Sequence, residues 1–195
     1  MLFEVGKMTP SGTVTTYPSL SPYAEPQGVV AGPDGNVWFA ESGEDGYGKI
    51  GRVTTDGVVA EFDDGIPFLA FVDFITVGPD GDLWFTMRSA ELIGRITTDG
   101  VITTFPSAVI GPSAITLGPD GNLWAAGYYT DAVERITPQG EVTEFTSGIS
   151  AFAEPYGIAT GADGNLWFTE PGTGSIGRIT PTPADLVFSN GFDGS

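Results

Sequence analysis

The groups on this chain that could do chemistry are almost all oxygen acids and phenols. Asp and Glu together number 25 and Tyr 6, while histidine and cysteine are both absent. That inventory excludes imidazole bases, thiol nucleophiles, disulfides and Cys/His metal sites, and leaves carboxylates as cation ligands or proton acceptors. Ten acids stand in stretches whose sequence does not recur: Glu41, Glu44, Asp45, Asp63, Asp64, Asp73, Glu91, Asp131, Glu154 and Glu170. Tyr47, Phe68, Phe71, Tyr128, Tyr129 and Tyr156 lie among them. Acids interleaved with aromatic rings suit a cation or a partly apolar organic ligand, and equally the solvated surface of an acidic protein.

Two other constellations lose their chemistry in context. Asp34, Asp80, Asp120 and Asp163 each stand alone in a Gly-Pro-Asp-Gly or Gly-Ala-Asp-Gly turn, without the closely spaced oxygen ligands of a calcium loop. There Pro presets φ, Asp accepts local backbone hydrogen bonds and Gly supplies a positive φ, so the turn reading prevails. Gly46–Gly51 and Gly172–Gly177 match G-x-G-x-x-G, but each joins one strand to another and no helix follows to hold a pyrophosphate.

The elements that position the acids are written as a repeat. Each of these turns is followed by a tryptophan, and Trp38, Trp84, Trp124 and Trp167 recur about 40 to 46 residues apart, the period of a propeller blade. In each unit an inner strand, the turn and a second strand such as Asn165–Glu170 precede a third strand such as Ile93–Thr97, a Thr-Asp-Gly turn and a fourth strand such as Val101–Phe105. Four antiparallel strands make one blade. The runs Val37–Ala40, Leu83–Thr86 and Leu166–Thr169 are apolar on both faces, as strands sandwiched between neighbouring blades require, and the tryptophans pack between blades. Five of the seven basic residues, Lys7, Arg52, Arg95, Arg135 and Arg178, occupy one repeat position, which points to a structural partner in every unit, an acid or a backbone carbonyl.

The sequence therefore predicts an all-β protein, a β-propeller of four-stranded antiparallel blades. The repeats fill residues 3–181: a half blade at 3–18, blades at about 26–63, 71–106, 112–146 and 155–188, and a tail at 182–195. Both turn types emerge on one uniform face. The remaining connections differ from unit to unit and emerge on the other, which is where a rigid scaffold places function.

The unit Gly-Pro-Asp-Gly-Asn-Leu-Trp-Phe-Thr-Glu, followed by Ile-Gly-Arg-Ile-Thr-Thr-Asp-Gly, resembles the repeat of the virginiamycin B (streptogramin B) lyase family within the NHL-like propellers. The resemblance covers about Phe3 to Pro181. It implies a seven-bladed ring and a magnesium-assisted elimination that opens cyclic depsipeptides. In that family imidazoles are expected in Pro-His-Gly-Ile segments at the start of inner strands, beside a Glu that ends the second strand and helps hold magnesium. The matching positions here carry Gln27, Asp73, Ser113 and Tyr156, which become the candidate ligand-binding residues, and the strand-ending Glu persists as Glu41 and Glu170, the candidate metal ligands. With no histidine to abstract a proton, the chain reads as a non-catalytic module that binds a small molecule or a protein on its variable-loop face. The alternative is the lyase itself, its histidines in blades upstream of Met1; an architectural repeat domain is a third possibility.

Four and a half blades do not close a seven-bladed ring, so the expectation is a C-terminal part of a larger propeller whose exposed edges favour self-association. A formal charge of −18 argues against nucleic acid and anionic lipid as partners. The segment Met1–Lys7 has neither a basic nor an apolar export region, and no apolar run is long enough to span a bilayer. The tail Ala184–Ser195 resembles the short terminal tails of some exported bacterial proteins, which sets the expected location outside the cytoplasm.

Overall fold

The computed structural model describes residues 4–18, 21, 24–43, 46–181 and 187–189. Glu44, Asp45 and most of the tail read from the sequence lie outside them. Strands β1 (Glu4–Met8) and β2 (Val14–Pro18) form an antiparallel hairpin with Lys7 opposite Thr15. Four complete blades follow, each a four-stranded antiparallel sheet in chain order. Blade 1 is β3 (Ala24–Ala31), β4 (Val37–Gly43), β5 (Lys49–Val53) and β6 (Val59–Phe62). Blade 2 is β7 (Val72–Val77), β8 (Leu83–Met87), β9 (Leu92–Ile96) and β10 (Ile102–Pro106), with a single 3-10 turn, Arg88–Ala90, between β8 and β9. Blade 3 is β11 (Pro112–Leu117), β12 (Leu123–Gly127), β13 (Ala132–Ile136) and β14 (Val142–Phe145). Blade 4 is β15 (Ile158–Thr160), β16 (Leu166–Glu170), β17 (Ser175–Thr180) and β18 (Val187–Ser189), so the tail supplies an outermost strand.

The core lies between the blades. Trp38 of blade 1 packs with Ile75, Leu83 and Phe85 of blade 2; Trp84 of blade 2 with Ile115, Leu123 and Ile136 of blade 3; Trp124 of blade 3 with Ile158, Leu166 and Phe168 of blade 4. These three tryptophans are fully buried and Trp167 is half-buried. A buried aromatic removes about 150–250 Å² from water, on the order of 4–6 kcal/mol at roughly 25 cal/mol per Å². β8 and β12 are buried along their whole length, which is why their sequences show no alternation.

The Gly-Pro-Asp-Gly turn is stapled to the tryptophan that follows it. In blade 1 the Gly35 amide donates to Gly32 O at 3.1 Å with Gly35 at φ +78°, the left-handed conformation that selects glycine. Asp34 Oδ1 then accepts from the Trp38 indole N–H at 3.0 Å, and the same bond recurs from Trp84, Trp124 and Trp167 to Asp80, Asp120 and Asp163. At Asp163, the Asn165 amide and the Trp167 indole hold the carboxyl below the usual range. These aspartates are therefore part of the scaffold.

The repeated arginines are also scaffold, held in part by a partner the sequence reading missed. Arg52 lies over the Trp38 and Phe62 rings at 5.3 and 5.4 Å, Arg95 over Trp84 and Phe105, Arg135 over Phe145 and Arg178 over Trp167. Expected polar partners are present in blades 1 and 2: Arg52 donates to Thr98 O of the next blade at 3.1 Å, and Arg95 faces Asp80 and Asp82 at 3.6 Å. A guanidinium is well matched to such a site because it stacks flat on a ring while its edge still donates.

Candidate functional site

The four inner strands carry a defect at one shared place. Register shifts fall between Pro26 and Val29 in β3, Val72 and Ile75 in β7, and Pro112 and Ile115 in β11. In blade 4 strand assignment begins only at Ile158, although the Tyr156 amide already donates to Thr169 O at 3.1 Å and Thr169 N–H to Gly157 O at 2.9 Å. Gln27, Asp73, Ser113 and Tyr156 all sit in these breaks. A bulge re-aims the side chain it carries and breaks the alternation of a regular strand at that point.

Three of the four converge on one groove of about 790 Å³, lined by Gln27, Asp73 and Tyr156 with Glu25, Ser42, Phe71, Phe74 and Arg88. Phe74 meets Tyr156 edge-on at 5.8 Å and Tyr128 meets Tyr156 at 6.0 Å, so blades 2, 3 and 4 each contribute a ring. Ser113 is placed differently. It is buried, outside the groove lining, and its hydroxyl lies within reach of Ala126 O, Pro155 O and Tyr156 O at 3.1, 3.3 and 2.9 Å. Its side chain ties blade 3 to blade 4 instead of meeting solvent.

Asp73 is the best-held acid of the groove. Arg88 Nε approaches its Oδ2 at 2.9 Å and the Ser42 hydroxyl its Oδ1 at 3.1 Å. Burial pushes its carboxyl up, and Arg88 and Ser42 counter only part of that. Arg88 sits on the 3-10 turn, which is fixed in its own right. Arg88 N–H donates to Phe71 O at 3.0 Å, Phe71 N–H to Ser89 Oγ at 3.1 Å, and the Ser89 hydroxyl to Leu69 O. Arg88 stands outside the arginine repeat, and that irregularity was the available sequence signal for its role.

Beside Tyr128 the connections are acidic. Asp131 Oδ2 and Oδ1 accept the backbone amides of Phe152 and Glu154 at 2.7 and 3.1 Å. Glu154 in turn raises the Tyr128 phenol through its charge and a hydrogen bond. Among the described residues Leu69, Glu91, Asp131, Phe152 and Glu154 are the non-glycine residues with positive φ, and every one lies in a connection on this face. Such conformations persist only where the surroundings over-determine them, and they cluster at functional loops.

Glu170 ends the second strand of blade 4, whereas Glu41 lies within that of blade 1, which runs on to Gly43 and so corrects its reading as a strand end; both are buried. Glu170 Oε1 has no hydrogen-bond partner among the described residues, Thr173 Oγ1 stands 3.5 Å from Oε2, and burial, helped by the charge of Asp131, raises its carboxyl. Among the described residues no three of Asp, Glu, His or Cys form a group able to hold a metal ion. Magnesium takes a near-octahedral oxygen set and keeps several waters in it, so one or two carboxylates holding it would have to be completed by water or ligand oxygens.

Repeated four-stranded blades, with inner-strand bulges beside a polar, aromatic groove, define β-propeller architecture. The virginiamycin B lyase family profile matches residues 3–188, and the chain belongs to that family. It is 36% identical to a catalytically inactive histidine-to-alanine variant of virginiamycin B lyase from Staphylococcus aureus with quinupristin, at a TM-score of 0.85, covering 95% of this chain and 62% of that one. A streptogramin B lyase structure is 33% identical at the same TM-score, with 98% and 63% covered. The chain thus spans a little over three-fifths of the length of these lyases. A putative 6-phosphogluconolactonase from Bacteroides uniformis, 16% identical at a TM-score of 0.68 with 97% and 63% covered, shares the fold alone. No curated protein matches the chain.

Proposed function

We propose that this chain acts as a ligand-binding propeller of the virginiamycin B lyase family, holding a partly apolar organic ligand in the bulge groove without opening it. The observation that carries this reading is the groove itself. Gln27, the Asp73–Arg88 pair and the Tyr156 hydroxyl offer polar contacts around the Phe71 and Phe74 rings, in a volume suited to a drug-sized molecule. A lyase of this family is catalytically inactive when one histidine becomes alanine, and this chain has no histidine at all. Asp73 is a weak substitute as a base, because its two oxygens are already engaged by Arg88 and Ser42.

Family membership favours a second reading, a carbon–oxygen lyase that linearises streptogramin B-type depsipeptides. One experiment separates the two. Quinupristin is titrated into the protein by calorimetry and then incubated with it, with and without magnesium. Elimination within a ring leaves the mass unchanged, so products are followed by chromatographic retention and fragmentation. Saturable binding with the ring intact supports the binding module. A linear isomer formed only in the presence of protein supports the lyase, and no binding removes both.

A further inference from the structure

Glu134 is an acid with no place in the groove and no exposure to solvent. It lies on β13 where blades 1, 2 and 4 carry Gly51, Gly94 and Gly177. In those blades the opposing residue on the second strand is Phe39, Phe85 or Phe168, and a Cβ on the glycine would stand 2.1 Å from its ring. In blade 3 the opposing residue is Ala125. The volume a phenylalanine fills elsewhere is here given to a carboxyl group.

That carboxyl is spent on one loop. Oε1 accepts from the Ser107 hydroxyl at 2.9 Å and Oε2 from the Ala108 amide at 2.7 Å. Residues 107–111 join blade 2 to blade 3, and beyond Ala108 the loop buries Val109 and then carries two further bonds: Tyr129 N–H donates to Ile110 O and Tyr128 N–H to Gly111 O, both at 3.1 Å. Tyr128 is the ring that meets Tyr156 at the groove.

We propose that Glu134 is a positioning residue for the groove: its buried carboxyl seats the loop 107–111, the loop fixes Tyr128 and Tyr129 at the rim, and the seating depends on whether the carboxyl holds a proton. The effect on ligand binding rests on the groove reading above; the seating itself does not. The surroundings favour the protonated form. Glu144 faces Glu134 directly across β14, Ala125 faces it from β12, the loop offers the neutral Ser107, Ala108 and Val109, and the adjoining apolar cluster holds Ile93, Phe105 and Ile136. Burial, with Glu144 adding to it, pushes the carboxyl up to about 7 against the bonds from the loop. When protonated, Glu134 can donate to Ser107 Oγ, whose own proton then turns to Val109 O at 2.9 Å. When ionised it accepts from both neighbours but stays desolvated, and opening the loop relieves that cost.

The test is amide hydrogen exchange by NMR at Ala108, Tyr128 and Tyr129 between pH 5 and 8, corrected for intrinsic exchange. The loop-opening constant should rise about a hundredfold across that range and level off above neutrality, with the three amides moving together. Glu134→Gln keeps a neutral side chain of the same shape and should flatten the profile while preserving protection. The double variant Ala125→Phe/Glu134→Gly restores the pairing of the other blades, and should fold yet lose protection at all three amides. A Glu134→Gln profile as steep as the parent's overturns the proposal, and so does a double variant that exposes Ala108 but leaves Tyr128 and Tyr129 protected.

Discussion

Ala125 stands opposite Glu134 at the position where the other three complete blades set a phenylalanine against a glycine. The two arrangements are alternatives, because the ring covers the glycine's Cα so closely that any Cβ would collide with it. Gly94→Ala is therefore expected to destabilise the protein by about 1–3 kcal/mol through overpacking against Phe85. Phe85→Ala alone should cost about 3–5 kcal/mol. Combined, the two should cost less than their sum by at least about 1 kcal/mol, a coupling read from a urea-denaturation double-mutant cycle; strict additivity would mean that ring and glycine do not touch.

Glu134 also sets a pH dependence whose sign is fixed. Its folded pKa, about 7, lies above the ordinary 4.5, so the folded protein binds the proton more tightly than the unfolded chain does. The stability this contributes is fully present below about 4.5, declines as pH rises toward 7 and is gone above it. The drop should be on the order of 3 kcal/mol between pH 4.5 and 8. Because the −18 chain repels itself more as its acids ionise, the quantity to measure is the difference between parent and Glu134→Gln in urea titrations across that range. Parallel pH curves would refute the assignment.

How much of this was legible follows from what repeats. The turn, the tryptophan and the third-strand arginine recur at fixed spacing, so the blade and its strand order could be read from the aligned units. Sequence also marked Gln27, Asp73 and Tyr156 as neighbours, since they share one phase of the repeat. Two things escaped it. Ser113 shares that phase, but its short hydroxyl is drawn to carbonyls at the junction of blades 3 and 4, a contact that depends on how two blades approach. Glu134 was visible only as a departure from Ile-Gly-Arg-Ile, and its meaning needs the simultaneous change of Phe to Ala at position 125, which only strand register brings opposite. Arg88 is legible as an arginine outside the arginine repeat, and that is where the groove found its cation.

The aspartate of each Gly-Pro-Asp-Gly turn should behave as a staple. Asp120→Ala leaves the Trp124 indole N–H, fully buried, without its acceptor at 3.1 Å, and is expected to cost about 1–3 kcal/mol. Asp120→Asn retains an acceptor and should cost distinctly less. Melting curves of the two variants decide it, and equal losses would assign the effect to the turn alone.

Arg88 governs the ionisation of Asp73. The guanidinium lowers the Asp73 carboxyl while burial raises it, with burial the larger influence. Arg88→Gln removes the lowering charge, so the Asp73 pKa should climb further, as expected for a lost ion pair at this distance. Carboxyl carbon NMR of the parent and the variant measures that shift directly, and an unmoved titration would mean the pair does not persist in solution. At pH 7 the variant groove keeps Asp73 and Glu25 without a neighbouring cation among its lining residues, so a neutral or acidic ligand should bind more weakly while a cationic one gains. Titrating a plain aromatic carboxylate and a plain quaternary ammonium probe against both proteins gives the two signs. Opposite changes would establish that the Asp73–Arg88 pair sets the charge preference of the groove, and identical changes would assign the effect to loss of its shape.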